Sequence, residues 1–137
     1  MWIVLAMLSA GFAALTGIFA KLGMEGINSN LATAIRTVVV LVMAWGIVFL
    51  TGKQAGIADI TAKGWTYLIL SGAATGLSWL CYFYALQLGE ASKVIPIDKF
   101  SVVLSMVLAF VVLGEKVTMT KVIGGVLITL GTFVMIL

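Results

Sequence analysis

Histidine is absent from the chain, and cysteine and proline occur once each, as Cys81 and Pro96. A lone cysteine inside an apolar run excludes an intrachain disulfide, and the lack of histidine excludes the usual His/Cys metal clusters. No metal or cofactor is therefore expected. Charge is scarce as well: eight Lys and Arg and five Asp and Glu, 9% of the residues, leave a net charge of +3. Most of the cations stand in or beside short loops, where they meet lipid headgroups, so no nucleic-acid partner is expected. Long polar stretches are also missing, which leaves no extramembrane domain to house an enzyme.

What remains is apolar. Hydrophobic residues make up 63% of the 137 and the mean hydropathy is +1.24, against roughly half apolar in a soluble domain. A bilayer core of about 30 Å takes about 20 apolar helical residues to cross. Five stretches are long enough, at about 2–22, 31–50, 65–88, 94–113 and 119–137. Backbone groups cannot stay unpaired in lipid, so each is expected to be a helix and the chain to be an all-α integral membrane protein. Residues 2–20 have no basic region before them and no small-residue cleavage site after them, so they read as a retained first helix rather than a signal peptide. Lys21, at that helix's end, is expected to reach the headgroups.

Chemistry-bearing residues inside these spans are few. Arg36 lies six residues past Asn30, about 9 Å into the second helix at 1.5 Å per residue. It either snorkels to the nearer interface or serves a site, because ionisable groups in a span commonly mark a substrate path. In the third helix Ser71, Thr75, Ser78 and Tyr82 recur at helical spacing on one face, with Trp79 and Phe83 beside them. That face is either a cavity lining or a packing contact, since Ser and Thr serve both uses in lipid. The stretch Glu90–Ser105 holds the only proline and brings Asp98 and Lys99 into the fourth span. Pro96 suits a first helical turn, where its missing N–H has no partner to lose. Asp98 either caps that turn, favoured by the helix dipole, or pairs with Arg36 or Lys99 in a binding or gating site. In the last helix Gly124 and Gly131 stand two turns apart on nearly one face, a spacing that admits close approach of another helix, from this chain or a second one.

Five spans place the termini on opposite sides of the membrane. The N-terminal side then receives Lys53, Lys63, Lys116 and Lys121, and the other side Lys21, Arg36, Lys93 and Lys99. Orientation follows the bias of Lys and Arg between loops, and here the two sides balance. Either the deep Arg36 and Lys99 do not count and the N-terminus is cytoplasmic, or the chain inserts both ways.

The layout resembles one EamA domain of the drug/metabolite transporter superfamily. The resemblance is carried by Phe19-Ala20-Lys21-Leu22-Gly23, by Tyr82-Phe83-Tyr84-Ala85-Leu86 leading to Pro96, by Leu113-Gly114-Glu115 and by Gly124-Gly125-Val126-Leu127-Ile128 to Gly131. It implies an inner-membrane, multi-pass transporter, often an exporter of small metabolites. Typical members carry two such repeats, inverted, with the cavity between them, and this chain has one. A lone repeat needs an antiparallel copy of itself or of a relative, as the balanced charges allow. The Gly124–Gly131 spacing is similar to the dimer motif of the small multidrug resistance transporters. The glutamate which those relatives carry in their first helix is missing from residues 2–20, which leaves Asp98 as the candidate for proton coupling.

The expectation is thus a one-repeat transporter of a small metabolite or drug-like solute, working by alternating access as a homodimer, antiparallel by preference. Ser71, Thr75, Ser78, Trp79 and Tyr82 would line the cavity, Arg36, Asp98 and Lys99 would bind charge or gate, and Gly124 and Gly131 would meet the partner. The rival readings are a non-transporting accessory subunit and a lipid flippase.

Overall fold

A computed structural model describes all residues, 1–137. It contains α1 (Trp2–Gly23), α2 (Ser29–Leu50), a 3-10 turn (Gln54–Asp59), α3 (Ala62–Leu88), α4 (Ala91–Asp98), α5 (Ser101–Val112) and α6 (Met119–Ile136), with no strand. Five spans are long and apolar enough to cross a bilayer, with α4 and α5 together forming the fourth, Ala91–Val112.

The boundaries follow local chemistry. Asn28, in extended conformation, opens α2 by accepting a hydrogen bond from the Asn30 N–H at 2.9 Å, and Thr118 does the same for α6 through the Lys121 N–H at 3.4 Å. The C-terminus of α2 is closed by Gly52 at φ 66°. Its N–H and that of Lys53 donate back to the Phe49 and Val48 carbonyls, a pairing that requires the left-handed conformation glycine adopts freely.

The fourth span departs from the sequence expectation of one helix over 94–113 with Pro96 in its first turn. The helix begins at Ala91, so Pro96 is its sixth residue. It stands beyond the four positions whose N–H groups are unpaired in any helix, and there it removes a ladder bond and crowds the preceding turn. The backbone stays right-handed but tightens: Phe100, Val102 and Val103 donate to carbonyls three residues back, each at 3.0 Å. The span therefore breaks at Lys99 and Phe100, between α4 and α5.

The chain divides into two compact units, one made of Met1–Ile18 with Leu88–Leu137 and the other of Phe19–Gln87. In the first, α6 packs against α4 and α5. Gly125 is buried there because a Cβ would stand 2.5 Å from Met106 Cε, whereas Gly124 and Gly131 have nothing within 4 Å of theirs. The inward face of α6 thus runs through Gly125 and Thr132, both buried, and the pair singled out from the sequence lies on a face this chain leaves open.

The second unit has its core at one end. Ala20, Met24, Ala32, Phe83 and Leu86 are buried with Ser29 and Thr33. Two polar clamps hold that end. Gln87 Nε2 donates to the Ile27 carbonyl at 2.6 Å and its Oε1 accepts from the Ser29 N–H at 3.2 Å. Lys21 Nζ donates to the Leu86 carbonyl at 2.7 Å, so its ammonium lies on the C-terminal turn of α3, where carbonyls lack helical partners.

Candidate functional site

From their packed end toward mid-span, α2 and α3 leave a groove of about 800 Å³ between them. From α2 it is lined by Thr33, Thr37, Val40 and Ala44 among others, and from α3 by Ser71, Gly72, Thr75, Gly76 and Trp79. Small residues recur one turn apart on both helices, which keeps the groove open. Its polarity comes from hydroxyls and from Asn30. Thr33, Thr37 and Thr75 each donate to the carbonyl four residues back, those of Ser29, Thr33 and Ser71, at 2.8, 2.8 and 2.9 Å. Such bonding satisfies the hydroxyl protons without a tertiary partner and leaves the oxygen lone pairs available to accept.

Of the stripe on the third helix, Ser71 and Thr75 line the groove and Ser78 and Tyr82 do not; Trp79, which stands beside the stripe, lines it as well. Tyr82 joins an aromatic cluster at the packed end instead. Its ring centroid lies 4.9 Å from that of Phe83, and the Trp79 centroid lies 6.5 Å from Phe83 on an edge-on approach. Over Phe83, 3.9 Å from the centroid, stands the Arg36 guanidinium. A cation over an aromatic face is attracted by the ring quadrupole, and Phe83, 2% exposed, is a fixed platform. Arg36 Nη1 is buried and has no hydrogen-bond partner.

Asp98 and Lys99 belong to the other unit, at the break between α4 and α5. Their side chains, 34% and 54% exposed, approach to 3.6 Å. Of the two partners open to Asp98, Lys99 is the one it meets in this structure. Ionisable groups at a discontinuity in a span have the backbone irregularity that transporters use to hold ions.

Thr33, Thr37 and Gln87 take part here without standing out in the sequence. Thr33 and Thr37 are four apart and flank Arg36, a spacing that repeats the Ser71–Thr75 signal on the neighbouring helix. Phe83, which the sequence shows only as a neighbour of the stripe, and Gln87 each act through a residue distant in the chain.

Residues 1–137 match the EamA-like transporter family over their whole length. A Sinorhizobium protein described as an uncharacterized transporter in the cobO 3' region is 46% identical over 134 residues, covering 98% of this chain and 95% of the relative. The uncharacterized protein MJ1333.1 of Methanocaldococcus jannaschii is 32% identical over 129 residues, covering 94% and 91%. With so much of each relative covered, both are about as long as this chain. No solved structure matches it.

Proposed function

The chain belongs to the EamA-like transporter family, and from that premise we propose that this membrane transporter carries a small amphipathic metabolite through the α2–α3 groove by alternating access, as an antiparallel homodimer in the inner membrane. The observation that carries the reading is the groove itself, with hydroxyls and Trp79 on its walls at mid-span. A surface that served only lipid would gain nothing from threonine and serine there. One repeat supplies one wall of a cavity, and transporters build their sites where inverted repeats meet. The balance of four basic residues on each side permits insertion in both orientations. Two relatives of the same length fit a unit that works in copies.

On α6 the open face at Gly124 and Gly131 is where a second copy would approach, because small residues let helix backbones come close. Gly131→Leu is expected to leave helix content unchanged, since nothing lies within 4 Å of the new Cβ, and to convert the dimer to monomer in detergent, read by light scattering. A dimer that survives Gly131→Leu removes α6 as the contact.

Asp98 is the proposed coupling acid. Its carboxylate pairs with Lys99 at the break in the fourth span, so protonation would release that pair where the helix bends. In proteoliposomes loaded in turn with amino acids, organic acids and amines, wild-type flux of the carried solute should respond to an imposed pH gradient. Asp98→Asn should carry the same solute without that response. A mutant that keeps full pH dependence excludes Asp98 as the coupling group, and wild-type vesicles that carry none of the panel, yet scramble lipid, replace the solute carrier with a flippase. Reporters fused to both termini test the topology: mixed orientation fits antiparallel insertion, and one uniform orientation rules it out.

A further inference from the structure

Arg36 is the only charged side chain between Ser29 and Leu50, and α3 carries none from Gly64 to Leu88. An arginine that merely snorkelled would carry its donors to the headgroups. This one is held 3.9 Å above the buried Phe83 ring with Nη1 sealed from solvent and unmatched. A buried charged donor without an acceptor is unfavourable, so the guanidinium is stationed where a partner of opposite charge would stabilise it.

The surroundings narrow what that partner is. Thr33 and Thr37, which bracket Arg36 on α2, line the groove, and Trp79, which lines it from α3, contacts the ring beneath the guanidinium. Arg36 does not itself line the groove but adjoins it through Thr33, Thr37 and the Trp79–Phe83 contact. The protons of Thr33, Thr37 and Thr75 are committed to their own helices, so these three hydroxyls have no proton left to offer an anion, which needs a donor such as Arg36 beside them. A planar fork of five donors that stays charged at any working pH is what receives carboxylate or phosphate oxygens, two at a time.

We infer that Arg36 is an oxyanion-binding residue of the α2–α3 groove, taking the carboxylate or phosphate of an amphipathic anion whose apolar part lies against Trp79. This assignment rests on the groove being the transport site. Arg36 is only part-buried, so the fork can be approached, and a turn of it on the Phe83 face would bring Nη1 onto the ligand's second oxygen. A soluble organic anion and a lipid headgroup phosphate offer the same chemistry.

Three probes with one indole body separate the outcomes: indole-3-acetate, indole-3-ethanol and tryptamine, titrated calorimetrically into the dimer in dodecyl maltoside. Indole-3-acetate should bind at least tenfold more tightly than the other two. Arg36→Gln should erase that preference, and Arg36→Lys, a point charge without the fork, should keep part of it. Equal binding of the three by wild type, or a preference unchanged in Arg36→Gln, overturns the assignment. Trp79→Ala should weaken all three alike, so the groove reading and the oxyanion assignment fail separately. Repeating the titration in phosphatidylcholine and phosphatidylglycerol nanodiscs identifies the source of the anion. A preference that persists in both lipids marks a soluble ligand, and one that phosphatidylglycerol alone suppresses marks a headgroup phosphate at the same residue.

Discussion

The double substitution Gly72→Leu/Gly76→Leu is expected to abolish solute flux in proteoliposomes, by at least tenfold, while raising the thermal stability of the chain. Both glycines lie on the groove wall of α3 one turn apart, and neither has anything within 4 Å of the position a Cβ would take. Both have ordinary helical backbone, so no strain opposes a side chain. Each exchange removes the entropic penalty of glycine in a helix interior, about 0.8–1.0 kcal/mol relative to the best helix formers. The two leucines then extend into the space of about 800 Å³ that a solute would occupy. A gain in stability with a loss of function distinguishes occlusion from misfolding, which lowers both. Undiminished flux in a folded double mutant would place the transport path elsewhere and remove the groove from the mechanism.

Phe83→Ala is expected to cost the most stability of any single truncation. Its ring is 2% exposed, lies beneath the Arg36 guanidinium and makes edge contacts with Trp79 and Tyr82. In soluble cores Phe→Ala costs about 3–5 kcal/mol. Lipid tails are as apolar as the protein interior, so the transfer part shrinks in a bilayer. The cavity and the cation–π part remain, for an expected loss of about 2–3 kcal/mol. Phe83→Leu should lose less, since it refills the space but offers no ring to Arg36. Helix content followed during thermal unfolding in dodecyl maltoside reads the difference, with Phe133→Ala as the control because that ring is 60% exposed. If the control and Phe83→Ala shift the midpoint equally, the packed end of α2 and α3 is not the stability core.

The site was legible in the sequence where its signal was local. The Ser71–Thr75–Ser78–Tyr82 spacing places four residues on one face of a helix, and the structure opens a groove that takes in Ser71 and Thr75 from that face and Trp79 from beside it. Ser78 lies between Thr75 and Trp79 along the axis, yet the groove turns past it to Trp79 and leaves it out together with Tyr82. Periodicity groups residues on one face of a helix, whereas which flank of that face meets a cavity depends on where the neighbouring helix stands. The same limit explains the fourth span. Pro96 announces a disturbance, but whether it opens a helix or breaks one depends on where that helix starts, and the extended Glu90 sets the start at Ala91.

By itself the sequence determined that this protein lives in a membrane, how many times its helices can cross it, and where most of them begin and end. Those properties depend on runs of about 20 apolar residues and on caps such as Asn28, Gly52 and Thr118, whose partners are at most a few residues away. Tertiary structure alone decided that Arg36 lies on Phe83, that Lys21 is spent on the Leu86 carbonyl, that Gln87 grips the 27–29 loop, and that Gly125 rather than Gly124 or Gly131 faces inward. The first three join residues 47 to 65 positions apart. Lipid presses all apolar faces of a span with nearly equal favour, so the hydrophobic pattern that orients helices in water is weak here, and the choice of partner falls to close packing and to the few polar groups that must be satisfied.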